Sequence, residues 1–110
     1  MRRAHVYNHG QLAGTLEELD DGSFCFHYDA AYLRAPAATA VSLTLPLQED
    51  PFVCDHLFAF FYGLLAEGST RQLQCRLLHI DENDAFGLLL ATGRDTIGSV
   101  SVEPADEVPR

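Results

Sequence analysis

The residues best equipped for chemistry are three cysteines and five histidines. Two pairs share a spacing, Cys25-x-His27 and Cys54-x-His56. Thiolate and imidazole suit tetrahedral zinc, and two such pairs would supply its four ligands. Zinc pairs usually stand two to four residues apart, so the spacing is a poor match, and strand alternation gives no reason for Cys25 and His27 to meet Cys54. The plainer reading is small thiols with the packing behaviour of a hydrophobe, beside surface imidazoles. A cysteine nucleophile needs a histidine and an orienting Asp or Asn at hand. With this many Cys and His such triples arise by accident, and no local sequence typical of a thiol protease surrounds any of them. The acid pairs Glu17-Glu18, Asp20-Asp21 and Glu49-Asp50 fall where strands end and turns begin, as solvated acids do. Gly93-Arg94-Asp95-Thr96-Ile97-Gly98 is too sparse in glycine to cradle a phosphate. No catalytic residue, cofactor or resident metal is expected.

The wider composition excludes more. The 110 residues carry 16 acids against seven basic residues, all arginine, for a net charge of −9. Such a surface repels phosphate, so the chain is not expected to bind nucleic acid directly. Without lysine there is no Schiff base and no kinase phosphate-binding lysine. The longest apolar stretch, Leu57 to Ala66, falls far short of the roughly 20 residues that span a bilayer. Met1-Arg2-Arg3 leads into polar sequence rather than an apolar signal core, and the odd cysteine count fits reduced thiols. The expectation is a cytoplasmic, single-domain globular protein.

The elements that would position these groups change character half-way along. Ala4 to Tyr7, the Asn8-His9-Gly10 turn, Gln11 to Leu19, the Asp20-Asp21-Gly22 turn and the alternation of Phe24, Phe26 and Tyr28 predict an antiparallel meander. A helical turn over Asp29 to Leu33 ends at Ala35-Pro36. Val41, Leu43, Leu45 and Leu47 alternate with Ser42 and Thr44, which predicts a fourth strand. The period then switches. Leu57, Phe60, Phe61, Leu64 and Leu65 predict a helix capped by Asp55 and ended by Gly68. Ser69-x-x-Gln72 has capping-box spacing, and Leu73, Leu77 and Leu78 would be the buried side of the next helix. Asp81-Glu82-Asn83-Asp84 opens a third helix with its body at Phe86, Leu88, Leu89 and Leu90, stopped by Gly93. Ile97, Val100 and Val102 make a last strand. The fold expected is α+β: a small antiparallel sheet of about five strands packed with three to four short helices, over residues 1–104, with an acidic flexible tail at 105–110.

Between two of those helices lies a short corner, Glu67-Gly68-Ser69-Thr70-Arg71. A corner anchored at both ends presents its side chains to a partner at low entropic cost, although an ordinary capped turn has the same composition.

The order of short phrases along the chain resembles one family. Val6-Tyr7-Asn8-His9-Gly10-Gln11-Leu12-Ala13-Gly14-Thr15-Leu16 looks like the opening of the first subdomain of HipA-type toxin kinases. Phe24 to Tyr28, Ser42-Leu43-Thr44-Leu45-Pro46-Leu47, Phe60 to Gly68, Asp84 to Leu89 and Gly98 to Val102 are similar to its later segments, in order, over about residues 4 to 104. Ala66 departs from the pattern, where the family often has proline. Those kinases continue into a catalytic domain, whereas this sequence contains neither a nucleotide-binding loop nor a catalytic aspartate motif. The chain therefore resembles the small HipS-type antitoxin of three-gene HipBST modules. The resemblance implies a non-enzymatic protein that binds and neutralises a separate HipT-type serine/threonine kinase toxin, with a HipB-type helix-turn-helix protein in a ternary complex. On that basis Glu67, Gly68, Ser69, Thr70 and Arg71 become the candidate kinase-facing residues; with no tryptophan at the corner, hydrogen bonds or an Arg71 ion pair would have to serve. The alternatives are a subunit bridging the kinase to its repressor, or an N-terminal piece of a longer kinase.

Overall fold

A computed structural model describes residues 2–96 and 98–105. Among these the chain forms a five-stranded antiparallel sheet and four helices, the α+β arrangement expected. The strands are β1 (Arg3–Asn8), β2 (Gln11–Glu18), β3 (Phe24–Tyr28), β4 (Phe52–Cys54) and β5 (Val100–Pro104), in the spatial order β4-β3-β2-β1-β5. The β1–β2 connection is a two-residue hairpin loop with His9 at φ 52° and Gly10 at φ 80°. Positive φ at both central positions is the turn whose twist matches the flanking strands, and it explains Gly10. Ile97 and residues 106–110 lie outside the described residues. Ala105 still donates to the Arg3 carbonyl at 3.0 Å, one residue beyond β5.

One face of the sheet makes the core. Val6, Leu16, Phe26 and Val102 are fully buried, with Phe61 and with Phe86, Leu88 and Leu89 of α4 (Ala85–Thr92) packed over them. Phe26 is central: its ring meets Tyr28 edge-on at 5.0 Å and Phe61 at 5.5 Å. Gly14 makes room for it, since a Cβ there would lie 3.0 Å from the Phe26 ring and 2.3 Å from the His27 carbonyl oxygen. Helix α1 (Ala30–Arg34) falls where a helical turn is expected, and Asp29 caps it by accepting from the Ala31 N–H.

The strand expected at Val41–Leu47 does not form. Ser42 and Leu45 instead close a tight turn, in which the Leu45 N–H donates to the Ser42 carbonyl at 3.0 Å and the Thr44 N–H to the Ser42 hydroxyl at 3.2 Å. Serine and threonine side chains offer the backbone this local alternative to a ladder. The rest of the segment is held by two stacked tyrosines, 6.1 Å apart. Tyr28 Oη accepts from the Val41 N–H and donates to the Leu45 carbonyl, and Tyr32 Oη donates to the Thr39 carbonyl. Val41 and Leu45 are buried while Leu43 points out, fully exposed. Leu47 is exposed as well, so the apolar alternation of the sequence does not become an alternation of burial, and Phe52–Cys54 takes the place beside β3.

The helices depart from expectation in similar ways. Helix α2 covers just Ala59–Tyr62, with Phe58 as a cap that makes no side-chain bond, so Asp55 does not start it. After Gly63 the chain tightens into i→i+3 bonds, from Leu64 N–H to Phe61 and from Leu65 N–H to Tyr62. Leu57, Phe61 and Leu65 are buried all the same. Gly68 is left-handed (φ 62°), yet it opens α3 (Gly68–Leu78) rather than closing α2. Glu67 is the α3 cap and makes no side-chain bond, so the Ser69–Gln72 capping box is absent from this helix.

Arg2 clamps the start of the sheet to α4. Its guanidinium donates to both Glu18 oxygens, at 2.8 and 3.0 Å, and to both Asp84 oxygens, at 2.9 and 3.0 Å. It also lies over the Phe86 ring. Asp84 caps α4 by accepting from the Gly87 N–H. The Arg2 hydrogen bonds hold the Asp84 carboxyl below its usual range, so its contribution is full above the unfolded pKa near 3.9 and is lost as pH falls through the lower folded value. Asp84→Asn should cost about 1 kcal/mol at pH 7, since the pair is partly solvated. In chemical unfolding at a series of pH values, the gap between wild type and variant should be constant from pH 7 to 5 and close below about pH 4.

Candidate partner-binding surface

The helical repeat decides what α3 presents. Arg71, Cys75 and Leu78 fall on one side, and Cys75 is the residue this helix buries. Ser69, Leu73 and Leu77 follow at i, i+4 and i+8 on the opposite side, with Thr70 beside them. Leu73 and Leu77, expected in the core, are instead 51% and 67% exposed, and Leu78 is also exposed. The inner positions went to Arg71, Gln74 and Cys75, which leaves the larger apolar side chains to the outside. Leu73 and Leu77 lie opposite Cys75 on any α-helix, but the packing around α3 decides which of the two sides is covered.

Glu67, Gly68, Ser69 and Thr70 are exposed, so four residues of the expected corner are displayed together. Arg71 is not. It is half-buried, its guanidinium donates to the Glu82 carbonyl at 2.8 Å, and it lies 5.2 Å over the Tyr62 ring. Arg71 therefore ties α3 to α2 and to the turn before α4. The helix is further closed by His79 in the left-handed region (φ 58°), with the Ile80 N–H bonded to the Cys75 carbonyl at 2.9 Å. The exposed corner runs without a break into the leucine row, and a groove of about 350 Å³ lies along it between Ser69, Thr70, Gln72, Leu73 and Arg76.

The four-ligand Cys/His site does not assemble. Cys25 pairs with Val53 and His27 with Thr15 across the sheet, whereas Cys54 pairs with Phe24, whose side chain points into the core. Strand alternation thus puts the two cysteines on opposite faces. Burial, with the neighbouring Glu17 charge, pushes the Cys25 thiol up, away from reactivity.

A family model described as the HipA N-terminal domain matches residues 4–103. The chain belongs to the HipA N-terminal domain family. An uncharacterized protein of Haemophilus influenzae is 33% identical over 103 residues, 94% of this chain and 92% of that protein. Two putative kinases of Sinorhizobium fredii, Y4mE and Y4dM, are 29% and 30% identical. This HipA N-terminal domain spans about a quarter of their length, 26% and 25%. Among solved structures, one described as the N-terminal domain of HipA toxin superposes with a TM-score of 0.75 at 31% identity, covering 97% of this chain and 95% of that one. A chain in the Shewanella oneidensis complex of HipA, HipB and operator DNA reaches 0.78 over 24% of its own length; at 20% identity it shares the fold. Among the described residues no helix is long and apolar enough to cross a membrane.

Proposed function

We propose that this HipA N-terminal domain is a non-enzymatic, cytoplasmic antitoxin of the HipS type, which binds a separate HipT-type kinase toxin and neutralises it. The observation that carries this reading is the pair of coverages: the same domain fills 92% of the Haemophilus influenzae protein but about a quarter of each putative kinase. A domain found both at kinase scale and almost by itself fits a part that re-associates with a kinase as a separate chain. The exposed row of Ser69, Leu73 and Leu77 with Glu67, Gly68 and Thr70 supports it, because an uncovered apolar stripe rimmed by polar residues is characteristic of a protein–protein interface. In this reading the leucines supply the buried centre of the contact and the 67–70 corner its polar rim, while Arg71 positions the corner from behind.

The decisive experiment is co-expression with a HipT-type kinase in growing cells. Growth should be restored by this chain without a HipB-type helix-turn-helix protein, and the kinase should co-purify with it. Rescue that requires the helix-turn-helix protein would instead identify a bridging subunit.

A further inference from the structure

Cys54, Asp55 and His56 come together at the free end of β4. One ligand atom from each, the thiol sulfur, a carboxylate oxygen and an imidazole nitrogen, lies within 4.8 Å of the others. The Cys54 sulfur is 3.7 Å from His56 Nε2 and 3.8 Å from Nδ1. With metal–sulfur and metal–nitrogen bonds of about 2.3 and 2.0 Å, tetrahedral zinc separates the two ligands by about 3.5 Å. Asp55 Oδ1 is 2.7 Å from His56 Nδ1, a hydrogen bond that would have to lengthen by a fraction of an ångström for both to bind one ion. The imidazole also has to turn one nitrogen toward the sulfur, which an exposed ring does at little cost.

The geometry points to a transition-metal site at Cys54, Asp55 and His56, taking a borderline-soft divalent ion, zinc above all. It uses half of the ligands that the Cys-x-His spacing brought to mind, replaces the other half with Asp55, and is independent of any kinase partner. Binding takes the thiolate form of Cys54, so the thiol proton passes to solvent as the Cys54–metal bond forms. Three protein ligands leave an open position for water, beside a cleft of about 420 Å³ that Asp55 and His56 line with Glu18 and Tyr62. Because β4 is a three-residue edge strand, a metal at its end would also fasten that strand to the loop entering α2.

Titration of the reduced full chain with cobalt(II), and separately with zinc, tests the site. One cobalt per chain should bind with a sulfur-to-metal charge-transfer band, and zinc should release a proton and raise Tm. Cys54→Ser should abolish the band and the Tm gain, His56→Ala should weaken binding on the order of 10-fold or more, and Cys25→Ser should change neither. A band that survives in Cys54→Ser, or a wild-type chain that binds neither ion, overturns the assignment. Circular dichroism of the metal-free variants keeps loss of the site distinct from loss of the fold.

Discussion

Leu73→Asp with Leu77→Asp should abolish co-purification of the kinase and growth rescue while leaving the domain folded. Both side chains stand largely in solvent on the outer row of α3, so they contribute little to folding, and surface changes of this kind usually alter stability by about 0.5 kcal/mol or less. Buried in an interface, each leucine still has roughly 1–2 kcal/mol of apolar area to lose, and an aspartate in its place must be desolvated against a surface built for leucine. The double variant should therefore bind at least on the order of 100-fold more weakly, about 3 kcal/mol. Titration calorimetry or pull-down against the kinase measures this, with Tm as the control. Glu67→Ala and Ser69→Ala, at the polar rim, should have smaller effects. Arg71→Ala is a poor probe, because it also releases Tyr62 and the Glu82 carbonyl. If the double leucine variant captures the kinase as well as wild type does, α3 is not the docking face.

Phe26→Ala should have the largest effect on stability. Phe26 is fully buried at the middle of β3, in contact with Tyr28, Phe61 and Phe52 and with Gly14 beneath. Removing its ring leaves a cavity that these aromatic neighbours, fixed by strands and helices on either side, cannot close. The cost expected is roughly 3–5 kcal/mol, against a total of about 5–15 for a domain of this kind. Tm should fall by on the order of 20 °C. Leu43→Ala, at a fully exposed turn residue, is the natural control and should leave Tm near the wild-type value. A Phe26→Ala protein as stable as wild type would show that the core is not centred on β3.

Local patterning carried the first half of the chain. Alternation at Phe24, Phe26 and Tyr28, the Asn8-His9-Gly10 turn and the helical turn that follows Asp29 each depend on neighbours within a few residues, and each is present. Val41 to Leu47 shows where that logic ends. Its alternation groups Leu43 and Leu47 with Val41 and Leu45, yet just the last pair is buried, because the backbone partners that hold the segment are the hydroxyls of Tyr28 and Tyr32, which are remote in sequence. The same limit applies to α3. Hydrophobicity identified Leu73, Leu77 and Leu78 as apolar, yet which side of a helix is covered depends on what the rest of the chain brings against it, and here it brings the core to Cys75 and Tyr62 to Arg71.

By itself the sequence determined the α+β class, the antiparallel meander, the family and the exclusion of lysine chemistry, because all of these follow from composition, period and short-range phrases. Tertiary structure alone decided that Cys25 and Cys54 face opposite sides of the sheet, that Asp55 joins Cys54 and His56 instead of capping a helix, and that the leucines of α3 look outward. Those outcomes depend on strand register and helix rotation. One residue of register reverses a side chain's face and a quarter-turn of a helix exchanges core for solvent, and neither is encoded in the local pattern.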